Sequence, residues 1–187
     1  MKLLKKRLDG VFEIPLDPRR DERGFFIRIY DDQIFRDLNL NTKWFQDSRS
    51  FTARKNTLRG LHVSLPPSLE GKFIHAVRGA MLWVVVDLRL KSKTFGEWES
   101  VILTDQNPSA IYVERGFGHG CRSLTDDCDL FIKADNHYSE AHGTGIAWND
   151  PDLDIDWKLE GTVPLVSARD QAYGSFQDFR GKHGGIE

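Results

Sequence analysis

The sequence predicts an all-β sandwich or barrel, on three observations. Turn signals recur about every ten residues, the spacing of a many-stranded β domain. They stand at Asp9-Gly10, Pro15 to Pro18, Arg23-Gly24, Pro66-Pro67, Gly71, Gly79, Gly96, Asn107-Pro108, Gly116 to Gly120 and Gly143 to Gly145. The runs between them are short and rich in Val, Ile, Phe, Tyr and Trp, residues that suit a pleated, half-buried surface. No internal repeat or low-complexity linker interrupts the series, so the 187 residues are expected to form a single domain, 1–187.

In chain order, the apolar runs place strands at Val11–Pro15, Phe25–Tyr30, Leu58–Val63, Phe73–Val77, Met81–Leu90, Trp98–Leu103, Ala110–Val113 and Leu130–Ala134. Strand alternation puts Gly60 and His62 on one face and Leu61 and Val63 on the other. In "MLWVVVDLRL", Val84, Val86, Leu88 and Leu90 share a face, while Val85, Asp87 and Arg89 share one that turns polar. Two helices are expected. One runs Asp32 to Leu38, with Asp31 or Asp32 as N-cap and Ile34, Phe35 and Leu38 on one face. The other starts near Ser167, where "SARD" has the form of a capping box. Gly116 to Gly120 reads as a flexible, close-approach segment, and the tail "RGKHGGIE" as loosely held.

Composition excludes several classes. The chain is 40% hydrophobic and 29% charged, with a formal charge of −2, so no basic excess points to nucleic acid. No apolar run approaches the roughly 18 residues of a membrane span. The N-terminus lacks the apolar core and cleavage site of a signal peptide and reads as mature sequence. Cys121 and Cys128 are too few for a disulfide framework and lack zinc-site spacing, which suggests a cytoplasmic location.

The candidate chemistry gathers in "TLRGLHVSLPPSLEGKFIHAVRG", where Arg59, His62 and Lys72 lie close together in a mildly acidic chain. A loop over "SLPPSLEG" would return Lys72 near His62. A lone histidine is more often structural; its chargeable neighbours favour a role. His119, in "ERGFGHGCRS", could line a cavity. Three metal ligands drawn from His62, His75 and His119 are conceivable, but the paired histidines of a metal-binding jelly roll are missing, and no metal is expected. Asp170 could orient a histidine, or could simply cap its helix. Phosphate-loop and nucleophile-elbow motifs are absent, and the cysteines lack a histidine partner pattern.

Seven ordered segments then carry a resemblance: "DERGFFIRIY", "WFQDSRS", "TLRGLHVSLPP", "KFIHAVRGAMLWVVVDLR", "TFGEWESVILT", "ERGFGHGCRSL" and "YSEAHGTGIAWNDPDLDIDW", ending in "SARD". From about Gly10 to Asp170 the chain resembles the dTDP-4-dehydrorhamnose 3,5-epimerase family. The resemblance implies a cupin-type jelly roll, a homodimer that exchanges N-terminal strands, and cofactor-free epimerisation of a nucleotide-linked 4-keto-6-deoxy sugar. It makes His62 the base, Asp170 the group that holds its imidazole, and Lys72 the cationic partner of the enolate oxygen. His119 and Arg59 would contact sugar or diphosphate. Arg23, Phe26 and Gln46 would hold the nucleotide, partly across the dimer, and Tyr138 matches a family tyrosine.

The chain also departs from the family pattern. The tyrosine acid expected just before Lys133 is Ile132. A polar partner is usual where Ser64 stands, an aspartate where Trp83 stands, a carboxylate where Arg28 stands, and an asparagine where Ser48 stands. Arg28 would change the charge at the place expected for the nucleotide's base. Three readings follow. The chain epimerises its sugar at C3, C5 or both; it catalyses a related isomerisation on another nucleotide sugar; or it binds a nucleotide sugar without turning it over.

Overall fold

The computed structural model describes residues 2–187. Fourteen strands and three short α-helices form two six-stranded sheets and a separate hairpin. Strands β1 (Leu4–Lys5) and β2 (Val11–Pro15) open the chain. The hairpin follows, β3 (Arg19–Asp21) with β4 (Gly24–Phe26), and then helix α1 (Asp32–Asp37). Next come β5 (Gln46–Thr52), β6 (Thr57–Ser64), β7 (Lys72–Arg78), β8 (Ala80–Asp87), β9 (Trp98–Thr104), β10 (Ser109–Val113), β11 (Phe117–Ser123) and β12 (Cys128–Ala134). The chain ends through β13 (Gly143–Gly145), β14 (Leu165–Val166), α2 (Ala168–Gln171) and α3 (Phe176–His183). One sheet has the order β1-β2-β10-β7-β12-β5. The other has the order β13-β6-β11-β8-β9, with β14 pairing β6 in parallel. This is the all-β sandwich that the turn spacing predicts, of the jelly-roll type.

Side-chain alternation builds three apolar layers. Between the sheets lie Ile74, Met81, Trp83, Val85, Ile111, Cys121 and Leu130, with Ile132 packed against them. The outer face of the β6 sheet buries Leu58, Leu61, Val63, Leu82, Val84, Val86 and Leu88 beneath Ile146, Trp157, Phe176 and Phe179. The outer face of the β7 sheet buries Phe73 and Tyr112 beneath Phe35 of α1. Each fully buried large side chain contributes about 1.5–3 kcal/mol, so both outer covers are structural necessities for sheets this apolar.

The structure corrects the sequence expectations in four places. The polar run Gln46–Thr52 is a strand, because it lies at the sheet edge beside β12 and buries only Thr52. Phe117–Ser123 is a strand with all seven residues buried, not a flexible segment. A Cβ at Gly120 would stand 2.6 Å from the Trp157 ring, so glycine here makes room for the outer cover. The expected strand Phe25–Tyr30 keeps hydrogen-bonded pairing only to Phe26. The tail is held rather than loose. Ser175 and Asp178 form a full capping box on α3, Phe176 and Phe179 are buried, and Ile186 bridges to Arg89.

Candidate functional site

The site is built on the inner face of β6. Leu58 and Leu61 both pack outward although they are three residues apart, so plain alternation fails between them. The register with β11 shifts there, from His119↔His62 to Cys121↔Arg59. Gly60 takes the extra step with φ +110°, a region that glycine enters freely. The consequence is that Arg59, rather than Gly60, shares the inner face with His62. Arg59 reaches the opposite sheet, where its Nε donates to Thr52 Oγ1 at 3.3 Å and its Nη2 to the Phe51 carbonyl at 3.3 Å.

Asp170 reaches His62 across 108 positions of sequence, with Oδ1 2.9 Å from His62 Nε2. Its Oδ2 accepts the Gly60 N–H at 3.0 Å. The "SARD" box is therefore half a box. Ser167 Oγ accepts the Asp170 N–H at 3.1 Å, but the carboxylate turns inward to β6 instead of back to Ser167. Asp170 is 3% exposed, so both oxygens need these donors. With the Nε2 proton directed at Asp170, Nδ1 of His62 is left as the acceptor, a tautomer assigned from the hydrogen bond. The His62 side chain is 46% exposed and so accessible to a ligand.

His119 lies directly across the β6–β11 pair from His62 and is buried. Neither of its ring nitrogens has a hydrogen-bond partner. Burial holds this imidazole well below the usual histidine range, and the neighbouring Lys72 and His62 charges push the same way. Lys72 begins β7, with Nζ 3.7 Å from Glu70 Oε2, and Ser64 Oγ donates to that same oxygen at 2.7 Å. Trp83 completes the inner wall, its ring centroid 6.0 Å from that of His119. Ile132 faces the interior from β12, paired with Ile74 on one side and Ser48 on the other. His75 lies on the outer face of β7 beside Phe131, so it does not join His62 and His119 as a ligand set. The Cys121 thiol is pushed up to about 12 by burial, which removes it as a nucleophile at neutral pH.

At the rim, Gln46 accepts the backbone N–H of Tyr138. The Arg169 guanidinium sits against the Tyr138 hydroxyl, and then against that of Tyr173. Tyr173 lies edge-on to His62, with centroids 6.1 Å apart, and packs flat on Gly145. Sequence reasoning missed Arg169 and Tyr173. Their only signal was closeness to Asp170 in "SARDQAY". Arg23, Phe26 and Arg28 are not brought to His62 within the chain. Arg23 pairs with Asp21 on the hairpin, and Phe26 is 63% exposed. Arg28 pairs with Asp31, the N-cap of α1, so within the chain its charge falls on that cap. A cavity of about 710 Å³ lies elsewhere, between Arg7, Arg89 and Arg115. These guanidiniums are already paired with Glu97, Asp87 and Asp135.

The buried imidazoles set a pH dependence. His75, like His119, is lowered by burial. Unfolding exposes both, and each then binds a proton below about pH 6.5, whereas the folded forms stay neutral to lower pH. The unfolded chain therefore holds more protons, and stability falls as pH drops from about 6.5 towards the folded values, by up to about 1.4 kcal/mol per pH unit per group. Urea unfolding at pH 7.5, 6.5 and 5.5 is expected to show this slope, and His119→Gln is expected to flatten it. An unchanged slope in that variant would contradict a buried neutral His119.

With this geometry in hand, comparison with known proteins is decisive. The profile of the dTDP-4-dehydrorhamnose 3,5-epimerase family matches residues 5–178. The chain belongs to this family. A relative from Methanothermobacter thermautotrophicus, a dTDP-4-dehydrorhamnose 3,5-epimerase, is 38% identical over 165 residues, covering 88% of each chain. A dTDP-4-dehydrorhamnose 3-epimerase from Streptomyces niveus is 38% identical over 173 residues, covering 91% of this chain and 82% of its own. The solved epimerase structure from Mycobacterium tuberculosis superposes with a TM-score of 0.94 at 35% identity, covering 100% of this chain and 94% of that one. Family membership makes the chain a carbohydrate epimerase by class, with the jelly-roll architecture described above. No helix among the described residues is long and apolar enough to cross a membrane.

Proposed function

We propose that this protein epimerises a dTDP-linked 4-keto-6-deoxy sugar by proton transfer at a carbon beside the ketone. The observation that carries the reading is the His62–Asp170 pair, held on the inner face of the sandwich and facing a neutral His119. A hydrogen next to a ketone is acidic only when the resulting enolate is stabilised, so the site needs a base and an oxyanion partner. His62 Nδ1 takes the proton, Asp170 fixes the ring, and Lys72 and His119 face the oxygen. Proton transfer of this kind moves no electrons to a carrier and calls for no cofactor. Arg59, anchored by its Nε but open at its surface, suits a diphosphate oxygen. Gln46 and Tyr138 stand where the sugar or base would enter.

The β3–β4 hairpin carries Arg23 and Phe26 away from its own chain, with all six of its strand residues exposed. A homodimer in which this hairpin covers the partner's site would bury Phe25 and Phe26 and bring Arg23 to the nucleotide. The non-catalytic reading is disfavoured by the His62–Asp170 contact, since a binding site has no need of an oriented imidazole with a free nitrogen.

The test is deuterium entry at C3 and C5, followed by NMR in deuterated water with freshly made dTDP-4-keto-6-deoxyglucose and its GDP and CDP counterparts. Exchange at either carbon with the dTDP sugar supports the reading. Binding with no exchange for any sugar would overturn it. Ile132 stands where the family's acid would face His62, so water or Tyr138 returns the proton. Ile132→Tyr is accordingly expected to raise the epimerisation rate about tenfold or more. An unchanged rate would show that the returning proton arrives by a route this wall does not control.

A further inference from the structure

Six buried side-chain nitrogen or oxygen atoms lack a hydrogen-bond partner among the described residues: Trp44 Nε1, Trp83 Nε1, His119 Nδ1, His119 Nε2, Arg122 Nε and Tyr173 Oη. Such atoms are rare in folded proteins, and each calls for an explanation. Three have a polar group close by. Trp44 lies beside the Tyr30 hydroxyl, and Tyr173 beside Arg169. Arg122 is already anchored through its other nitrogens, to the Trp157 and Lys158 carbonyls and to Asn56. The remaining three atoms belong to a single pair of neighbouring rings, Trp83 and His119.

The contrast with Trp157 is informative. That indole is equally buried, and its Nε1 donates to the Trp148 carbonyl at 2.7 Å. A buried tryptophan usually finds such a partner. Trp83 is 5% exposed and has none. It stands on β8 opposite Cys121 of β11, two positions from His119 on the same inner face. Indole is a donor only, and a neutral imidazole offers one N–H. Two donors without a hydrogen-bond partner, both on the wall that carries His62, define a place for an acceptor oxygen.

We propose that Trp83 is a catalytic residue of the epimerisation site, its indole N–H donating, together with His119, to the keto oxygen of the sugar as that oxygen becomes an enolate. This inference rests on the epimerase reading above. In the step, the α-carbon's C–H bond breaks, the proton goes to His62 Nδ1, and the bonding pair forms the C=C bond. The carbonyl π pair moves to oxygen, which takes the negative charge. Trp83 transfers nothing. It stabilises that charge by a hydrogen bond in a setting from which water is excluded, where such a bond counts for more than in solution. Two unpaired N–H groups in this wall also make the site selective. A sugar presenting an acceptor oxygen at this point is taken, and one presenting only C–H leaves two buried N–H groups unsatisfied.

Trp83→Phe keeps a flat ring and removes the donor. Loss of one oxyanion donor in other enzymes costs about 10²–10³ in rate; here Lys72 and His119 remain, so a loss of about tenfold in deuterium exchange is expected, with dTDP affinity unchanged. A second measurement does not depend on the variant folding. In the ¹H–¹⁵N spectrum of the unaltered protein, the Trp83 indole resonance is expected to shift on adding dTDP-6-deoxyglucose and to stay in place on adding dTDP. Exchange within twofold of the parent in a folded Trp83→Phe, or an indole resonance indifferent to the sugar, would overturn the assignment and leave the epimerase reading intact. Absence of exchange in the parent protein would remove both.

Discussion

Replacing His62 by alanine is expected to reduce deuterium exchange at the sugar's α-carbon by about 10³-fold or more, the scale on which a positioned general base acts. Affinity for dTDP is expected to stay within a few fold, because the nucleotide and diphosphate contacts assigned here lie on other residues. The fold should also survive. The His62 side chain is 46% exposed, so its truncation leaves no buried cavity. The loss of the imidazole does leave Asp170 with one donor in place of two, the Gly60 N–H. Water entering the space left by the ring must replace the lost donor, so any stability deficit should appear in the segment that carries Asp170. Exchange retained within tenfold of the parent would show that another group removes the proton.

The second large effect is on the fold itself. Gly60→Ala is expected to cost about 3 kcal/mol or more, which for a chain of this size lowers the melting temperature by roughly 6–12 °C. A Cβ at this position would stand 2.6 Å from the His119 carbonyl oxygen and 2.8 Å from Gly120 Cα. Both obstacles are backbone of β11, so no side-chain rotation relieves them. The φ of +110° is itself unfavourable for alanine. Relief requires β6 to move away from β11, which separates His62 from His119 and loosens the Asp170 contact. A melting temperature within 2 °C of the parent, measured by calorimetry, would contradict this account of the bulge.

Several elements were legible from residues alone. Val11–Pro15 appears with those bounds, and Asp31 caps α1 through hydrogen bonds to the Gln33 and Ile34 N–H groups. These are local effects, set by β-branched runs and by one side chain satisfying nearby backbone donors. Gln46–Thr52 was not legible, because an edge strand with most of its side chains in water carries no apolar signature. Phe117–Ser123 was misread because its glycines answer to distant side chains, Gly118 to Leu88 and Val63 and Gly120 to Trp157. Gly60 was placed on the face of His62, where Arg59 stands instead, since a register shift between two strands leaves no mark in either one. For the site, residue types came from sequence similarity, but the contact between His62 and Asp170 is tertiary. So is the choice Asp170 makes between capping its own helix and bracing another strand.

That choice makes the orientation of His62 a gauge of how well the C-terminal segment is seated. Helix α2 is a four-residue turn, and Asp170 is its one buried residue. The carboxylate that contacts the imidazole is therefore carried by a short turn between β14 and α3, while the imidazole itself sits on a strand between β13 and β11. On the proposed mechanism, turnover is expected to fail when this segment lifts, even with both sheets intact. Activity and circular dichroism are therefore expected to report different parts of the molecule on warming, the first the seating of this short helix and the second the two sheets.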